Sequence, residues 1–299
     1  MLADAPSGHP PWFGRTASGQ MTPTHSSGLA TVSRADGAKP LMRCSQLAKH
    51  FGALKAVDDV SFEVPRGVVL GIGGPNGAGK TTFFDLISGV QVPTSGNIWI
   101  GEQNMTSKRS NKFCQAGVAR TFQLDVAFDS MTAIENVRVA AYFGSGSRSF
   151  PGLLYDTVSY EQAREALDIV GLRAKSREVM GNMPVLERKL VMLAGALVTQ
   201  PRLLLMDEPV GGLTPPEIEQ FERILKEVIQ RDCTLIVIEH VMSFLLALST
   251  RMLIMHQGRV IFDGEKADMF SNDEVVQVYL GKTATDLLRR QFLNGRKAS

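Results

Sequence analysis

Two apolar runs in the second half of the chain indicate strands that are buried on both faces. They read L-L-L-M at 203–206 and T-L-I-V-I-E at 234–239, without the polar alternation of a half-exposed strand. Between them, Thr214 and Glu217 have capping-box spacing and Pro215 stands at the first helical position. The apolar residues that recur at helical intervals behind this cap are Ile218, Phe221, Leu225 and Val228. The pattern predicts a βαβ unit in a buried parallel sheet.

The first part of the chain has a pattern typical of antiparallel strands. The β-branched runs K-A-V-D-D-V-S-F-E-V and G-V-V-L-G-I lie on either side of P-R, and T-S-G-N-I-W-I follows a segment that starts like a helix. Near the other end, M-L-I-M-H and R-V-I-F-D flank Gln257 and Gly258, which predicts a hairpin. We expect the early strands to flank a phosphate loop.

Helical periodicity dominates the middle of the chain. Ser159 and Gln162 have capping-box spacing, and Gly171 is placed to end the helix that follows. A second helix is expected after Pro184, with Asn182 as its cap. Its apolar positions are Leu186, Leu190, Leu193, Ala194 and Leu197.

The composition of the chain limits the classes of protein to which it can belong. Residues 1–40 are rich in Pro, Gly, Ser and Thr, which predicts a disordered extension, and residues 283–299 form a basic tail. The formal net charge of +2 is too small to argue for nucleic acid as a partner. Three cysteines without metal-like spacing fit a reduced setting. No apolar run approaches the ~18 residues of a spanning helix, so we expect any work at a membrane to proceed through other subunits.

The strongest motif is G-P-N-G-A-G-K-T-T, which matches the phosphate-loop pattern G-x-x-x-x-G-K-[ST]. It follows a strand-like run and precedes a helical start, so a chance glycine-rich turn is disfavoured. Glycines let backbone N–H groups wrap a phosphate, Lys80 reaches the terminal phosphates, and the Thr81 hydroxyl can ligate Mg²⁺. The expected nucleotide-binding residues are Gly74, Pro75, Asn76, Gly77, Ala78, Gly79, Lys80, Thr81 and Thr82.

Two adjacent carboxylates, Asp207 and Glu208, end the first buried run. Carboxylates in that place are costly without partners or a function. Beside a phosphate loop, Asp207 is expected to hold Mg²⁺ and Glu208 to polarise the attacking water. The alternative is a solvated acidic turn closed by Pro209.

Three further residues carry weaker signals. Gln123, in A-R-T-F-Q, can reach the metal and the attacking water, but an isolated glutamine is more often an exposed loop residue. His240 closes the second buried run and can contact the γ-phosphate, or it is structural. Phe51, in H-F-G-A-L, can stack on a purine, although its propensity alone favours a core position.

Taken in order, these elements resemble the ATP-binding cassette ATPases from about residue 41 to 282. The resemblance implies an α/β fold with a P-loop NTPase (RecA-like) core, an antiparallel β subdomain and a helical insertion at about 125–195. It also implies the cofactors ATP and Mg²⁺, the catalytic residues Glu208, His240 and Gln123, and the metal ligands Thr81, Gln123 and Asp207. Phe51 falls at the family's base-stacking aromatic.

Four stretches are similar to the ATPase subunits of branched-chain amino acid importers, or of relatives that move urea and other small polar solutes. They are G-V-A-R-T-F-Q, M-T-A-I-E-N-V, I-E-H-V-M and V-Y-L-G. This similarity implies docking on transmembrane permease subunits at the cytoplasmic face of the inner membrane. A second ATPase subunit, and indirectly a solute-binding protein, are further expected partners.

One segment departs from the family. Met183 to Glu187 read M-P-V-L-E where Leu-Ser-Gly-Gly-Gln or a close variant is expected, in the signature that caps ATP on the opposite subunit. Pro184 has neither a hydroxyl nor an N–H, and Val185 and Leu186 are expected to place side chains where backbone approaches phosphate. An alternative function follows, namely an ATP-binding but weakly hydrolysing regulatory partner in an asymmetric heterodimer.

Overall fold

The structure is a computed structural model that describes residues 39–121, 128–144, 157–231 and 233–280. The basic tail predicted at 283–299 and nearly all of the extension predicted at 1–40 lie outside the described residues. The strands are β1 (Met42–Phe51), β2 (Leu54–Val64), β3 (Val69–Gly73), β4 (Ser95–Ile100), β5 (Gln103–Asn104), β6 (Val118–Thr121), β7 (Leu203–Asp207), β8 (Thr234–Ile238), β9 (Arg251–His256) and β10 (Arg259–Glu265). The α-helices are α1 (Lys80–Ile87), α2 (Ser110–Gln115), α3 (Ala133–Gly144), α4 (Thr157–Ile169), α5 (Val185–Leu197), α6 (Pro215–Ile229), α7 (Met242–Leu248) and α8 (Asp273–Val275).

Two sheets organise the described residues. Strands β2, β1, β4 and β5 lie in that order in an antiparallel sheet, as the β-branched pattern predicts. The second sheet has the order β10-β9-β3-β8-β7-β6, and all of its neighbouring strands are parallel except the β9–β10 hairpin. The strand that precedes the phosphate loop therefore belongs to the parallel sheet rather than to the antiparallel one.

The parallel sheet is covered on both faces, which explains its uninterrupted apolar strands. In β7, Leu203 and Leu205 belong to the core shared with α1 and the antiparallel sheet, whereas Leu204 and Met206 belong to the core shared with helices α3 to α7. Strand β8 alternates in the same way. Because no face of these strands meets solvent, no polar residue is needed within them.

The parallel register brings the candidate chemistry to one edge of the sheet. Ile72 of β3 and Asp207 of β7 both pair with Ile238 of β8. The residues that follow these three strands are the phosphate loop, Glu208, and the pair Glu239 and His240. Residues far apart in sequence therefore emerge side by side, where α/β folds commonly bind ligands.

Three helices occupy the described part of the expected helical insertion. Helix α3 packs against α4 and α5, and α4 also packs against α5. Gly171 follows α4 with a φ of 76°, in the left-handed conformation that ends many helices. The expected apolar positions of α5 are all buried.

Two of the predicted helix caps are wrong. Asn182 ends a 3-10 turn, and the N-cap of α5 is Pro184, because Met183 takes the extended backbone that a following proline favours. Ser159 lies inside α4 and is buried, so it does not cap that helix. The capping box of Thr214 and Glu217 on α6 is confirmed.

The last described element is a π-helical turn at Val276–Leu280. It places the Tyr279 ring against Gly73, where an added Cβ would lie 2.9 Å from a ring carbon. The end of the described chain thus packs on the strand that leads into the phosphate loop.

Candidate functional site

The phosphate loop joins the end of β3 to the first turn of α1. Gly79 is the N-cap of α1, and no side chain caps that turn, so its N–H groups face the loop. Gly74 and Gly79 have φ values of 143° and 97°. A Cβ would lie 2.2 Å from the Met255 carbonyl oxygen at Gly74 and 2.1 Å from the Ala56 carbonyl oxygen at Gly79. Only glycine fits at these two positions.

Lys80 is buried and its ammonium lies within the curve of the loop. Nζ donates to the carbonyl oxygens of Gly74 at 2.7 Å and Pro75 at 3.0 Å. Burial lowers the pKa of Lys80 below its ordinary value, and the charges of Glu208 and Asp207 act in the opposite direction. The Lys80 ammonium and the carboxylates of the acidic pair therefore lie close enough for their charges to interact.

Asp207 is held by an arginine that no sequence motif predicts. Arg120, on β6, donates from Nη2 to Asp207 Oδ2 at 2.9 Å and from Nη1 to Asp85 Oδ1 at 2.7 Å. Burial raises the pKa of Asp207 above its ordinary value, while the Arg120 charge lowers it. Arg120 thus links the acidic pair to α1, the helix that begins with Lys80.

Glu208 and His240 form a contact across two neighbouring strands. Oε1 of Glu208 lies 2.8 Å from Nε2 of His240, a separation at which the two atoms share a hydrogen bond. Glu208 has a φ of 48°, which a residue other than glycine seldom adopts. Both side chains are partly exposed, at 37% and 43%. A carboxylate that is held in place and open to water suits the polarisation of an attacking water.

The oxygen ligands at this edge fit Mg²⁺. Asp207 offers a buried carboxylate, and Thr81 offers an exposed hydroxyl on α1, the helix that packs against β7. Within the described ranges, no group of three or more His, Cys, Asp or Glu side chains is arranged so that it could hold a metal ion. Mg²⁺ is commonly bound by one or two carboxylates together with nucleotide phosphates, so this sparse oxygen set suits it.

Two other predicted site residues have different outcomes. Phe51 is 48% exposed at the end of β1, and Lys49 Nζ lies 5.2 Å from its ring centre. The alternative of a core role for Phe51 is therefore wrong, and its stacking on a purine stays a prediction. Gln123 lies outside the described residues.

The M-P-V-L-E segment forms the start of α5. Pro184 and Val185 are exposed, and no side chain caps the first turn. The expectation that Leu186 obstructs the helix end is wrong, because its side chain is buried in the core. Of the five residues of this segment, Pro184 and Val185 are the ones exposed at the start of the helix.

Sequence reasoning missed Arg120 and a second buried acid, Glu239. Glu239 is 2% exposed and follows an apolar strand, as Asp207 does. The argument that a carboxylate at the end of a buried strand needs partners would have found it. Nothing local distinguishes Arg120, whose partners lie 35 and 87 residues away.

The sequence of this chain is similar to a known protein family and to many individual proteins. A family model described as ABC transporter matches residues 57–211, which include the phosphate loop and the acidic pair. The high-affinity branched-chain amino acid transport ATP-binding protein LivG of Salmonella typhimurium is 32% identical over 252 residues, covering 82% of this chain and 99% of the relative. The corresponding BraF of Pseudomonas aeruginosa is 30% identical, with 82% and 99% coverage.

Solved structures resemble the fold over the same part of the chain. A nucleotide-free ATP-binding cassette from an ABC transporter superposes with a TM-score of 0.72 and 28% identity, covering 81% of this chain and all of that one. A cassette of an ABC transporter in its ADP conformation gives a TM-score of 0.74 with 26% identity, covering 81% and 99%. These likenesses confirm the fold class expected from the sequence.

Proposed function

Because the chain belongs to the ABC transporter family, we propose that it hydrolyses ATP to energise an importer of branched-chain amino acids or a similar small polar solute. The observation that carries this proposal is the 2.8 Å contact between Glu208 and His240 at the edge of the sheet that holds the phosphate loop. A catalytic carboxylate that is oriented by a second side chain is what hydrolysis needs beyond nucleotide binding.

Each predicted site residue has a role in the proposal. The phosphate-loop amides and Lys80 bind the β- and γ-phosphates. Thr81 and Asp207, with Gln123, hold Mg²⁺, which supplies charge neutralisation to the phosphates when it is bound. Glu208 polarises the attacking water, and His240 holds Glu208 and contacts the γ-phosphate. Phe51 stacks on the adenine base.

The solute class rests on the relatives. Both LivG and BraF are named for branched-chain amino acid transport, and each aligns with 82% of this chain. No helix of the described ranges is long and apolar enough to cross a membrane. Because LivG and BraF are named as transport ATP-binding proteins, the proposal includes transmembrane permease subunits. It also includes a second ATPase subunit in a dimer and, indirectly, a solute-binding protein. The site of action is the cytoplasmic face of the inner membrane.

The test is reconstitution of the chain in liposomes with the permease subunits of a branched-chain amino acid importer and their solute-binding protein. We expect ATP-dependent uptake of radiolabelled leucine or valine, and ATP hydrolysis that rises when the loaded binding protein is added. Urea in place of the amino acid tests the alternative solute class.

A Glu208→Gln protein in the same liposomes is the matched control, and it should abolish uptake while the complex still assembles. ATP hydrolysis that no permease changes would contradict the transport role. Uptake of urea without amino acids would contradict the branched-chain amino acid assignment and leave a small polar solute and the ATPase role in place.

A further inference from the structure

Glu239 is a buried carboxylate that binds the backbone of two loops. Its Oε1 accepts a hydrogen bond from the Val210 N–H at 2.9 Å. Its Oε2 accepts from the N–H groups of His240 at 2.7 Å and Val241 at 3.2 Å. Three donors therefore satisfy one carboxylate, which accounts for its burial.

The two loops are those that carry the hydrolytic pair. Val210 lies two residues after Glu208, in a turn closed by the bond from Gly211 N–H to the Glu208 carbonyl at 3.2 Å. His240 directly follows Glu239. The carboxylate thus fixes the backbone on both sides of the contact between Glu208 Oε1 and His240 Nε2.

A third element reaches the same place. Lys189, on α5, donates from Nζ to the Glu208 carbonyl oxygen at 3.4 Å. Burial lowers the pKa of Lys189, while the charges of Glu239 and Glu208 act against that shift. Lys189 thus brings α5, which begins at Val185, into contact with the turn that follows Glu208.

Local turn geometry accounts for only part of this arrangement. The bonds to His240 and Val241 are local, in the turn that leads into α7. The bond to Val210 spans 29 residues and joins the ends of two neighbouring strands. A local turn does not need the bond to Val210.

We infer that Glu239 is a positioning residue for ATP hydrolysis, which holds the loops after β7 and β8 so that Glu208 and His240 stay in contact. It acts through the two loops, because the three hydrogen bonds that its carboxylate accepts come from backbone N–H groups. The inference rests on the roles proposed above for Glu208 and His240. Because one side chain is hydrogen-bonded to both, the turn that contains Val210 and the loop that contains His240 should move as one unit.

The primary variant is Glu239→Gln, which keeps the shape of the side chain but replaces one accepting oxygen with a donor. Either the Val210 bond or the His240 and Val241 bonds are then lost. We expect kcat for ATP at saturating Mg²⁺ to fall about tenfold, since small misplacements of catalytic groups are costly. KM and the Kd for a fluorescent ATP analogue should change less than about twofold, because the phosphate loop is untouched.

Thr234→Val is the matched control. Thr234 is also buried and begins β8, the strand that Glu239 follows. Its Oγ1 accepts the Gly67 N–H at 3.0 Å at the far end of the sheet. Loss of this hydrogen bond in Thr234→Val should lower the melting temperature and leave kcat unchanged. Glu239→Asp is a second variant that keeps the charge but shortens the reach, and kcat should fall with it as well.

A double-mutant cycle with His240→Ala separates positioning from general stability. If Glu239 acts through His240, then Glu239→Gln should add little to the loss of kcat already caused by His240→Ala. Two results would overturn the inference and leave the proposed function intact. One is a double variant in which the two losses of kcat multiply. The other is a Glu239→Gln protein that loses stability but keeps kcat. If Glu208→Gln and His240→Ala both hydrolyse ATP at the wild-type rate, the proposed roles fail, and the inference fails with them.

Discussion

Lys80 carries the only side-chain charge within the stretch from Gly74 to Thr82. Its ammonium already lies among the loop carbonyls, so binding a phosphate requires little rearrangement of the chain. We expect Lys80→Ala to abolish ATP binding, because no other side chain of the loop offsets the phosphate charge. Titration with a fluorescent ATP analogue measures this, and an unchanged affinity would contradict the phosphate-loop assignment.

Glu208 should behave in the opposite way. Glu208→Gln is expected to keep ATP affinity and to slow hydrolysis by about a hundredfold or more, because an amide does not polarise water as a carboxylate does. Measurements of nucleotide affinity and of single-turnover hydrolysis on the same preparation test the binding and the hydrolysis expectations separately. Hydrolysis at the wild-type rate would remove Glu208 from the catalytic role.

Arg120 neutralises two carboxylates, and its own side chain is 9% exposed. Arg120→Met leaves Asp85 and Asp207 without that partner, so we expect the free energy of unfolding in urea to fall by about 3 kcal/mol at neutral pH. Arg259→Met is the matched control. Its guanidinium also pairs with an aspartate but is 66% exposed, so its loss should change little.

The deficit of Arg120→Met should depend on pH. Burial already raises the pKa of Asp207, and removing the arginine charge that lowers it raises this pKa further. For a carboxyl with a raised folded pKa, the folded state binds protons more tightly than the unfolded state. The stability this provides is present at low pH and is lost as pH rises through the folded pKa. The deficit should therefore shrink between pH 7.5 and pH 5, and a deficit that grows on acidification would contradict the assigned ion pairs.

Among the elements, α6 has the best defined start. Thr214 N–H and Oγ1 donate to Glu217 Oε2 at 2.8 Å and 2.7 Å. Thr214→Ala should lower the free energy of unfolding by about 1 kcal/mol, as the loss of such a cap ordinarily does. Gln220→Ala, on the exposed side of the same helix, is the control and should be near neutral. Equal effects of the two changes would argue against the cap.

The elements also show what the sequence can and cannot predict. Strands β7 and β8 and helix α6 are predictable because burial on both faces, helical spacing and a capping box agree. Asn182 and Ser159 mislead because capping spacing is a weak signal that proline geometry and core packing override. The end of β8 shows the limit most clearly. Its histidine is visible as a motif, whereas the Glu239 bond to Val210 depends on which strands are neighbours.

At the scale of the whole molecule, the exposed start of α5 is expected to act on a second copy of the chain. If each subunit's signature caps the other's nucleotide, a homodimer has two sites that lack serine and glycine donors. Loss of one such donor typically costs ~3 kcal/mol, or about a hundredfold in rate. We therefore expect weak ATP hydrolysis from the chain alone, and stimulation by a cassette subunit with an intact Ser-Gly-Gly.

The companion variant is Pro184→Ser with Val185→Gly, and homodimer hydrolysis should rise at least several-fold. Leu186 is kept because its side chain is buried in the core, so a glycine there would confound the result with lost stability. Pro216→Ser, at an exposed position in the first turn of α6, serves as the control. Ordinary hydrolysis by the unaltered chain, with no gain in the variant, would show that other groups supply the donors.

The order of strands in the parallel sheet also has a consequence for synthesis of the chain on the ribosome. Strand β3 pairs only with β8 and β9 within the described residues, and about 160 residues separate Gly73 from Thr234. At a synthesis rate of about 5–20 residues per second, on the order of ten seconds pass between synthesis of β3 and synthesis of β8, the first strand that pairs with it. Throughout that time the apolar strand that leads into the phosphate loop has neither edge covered. A nascent chain halted before β8 should therefore not retain ATP, although its phosphate loop has long emerged, and such halted chains should be the ones that chaperones hold.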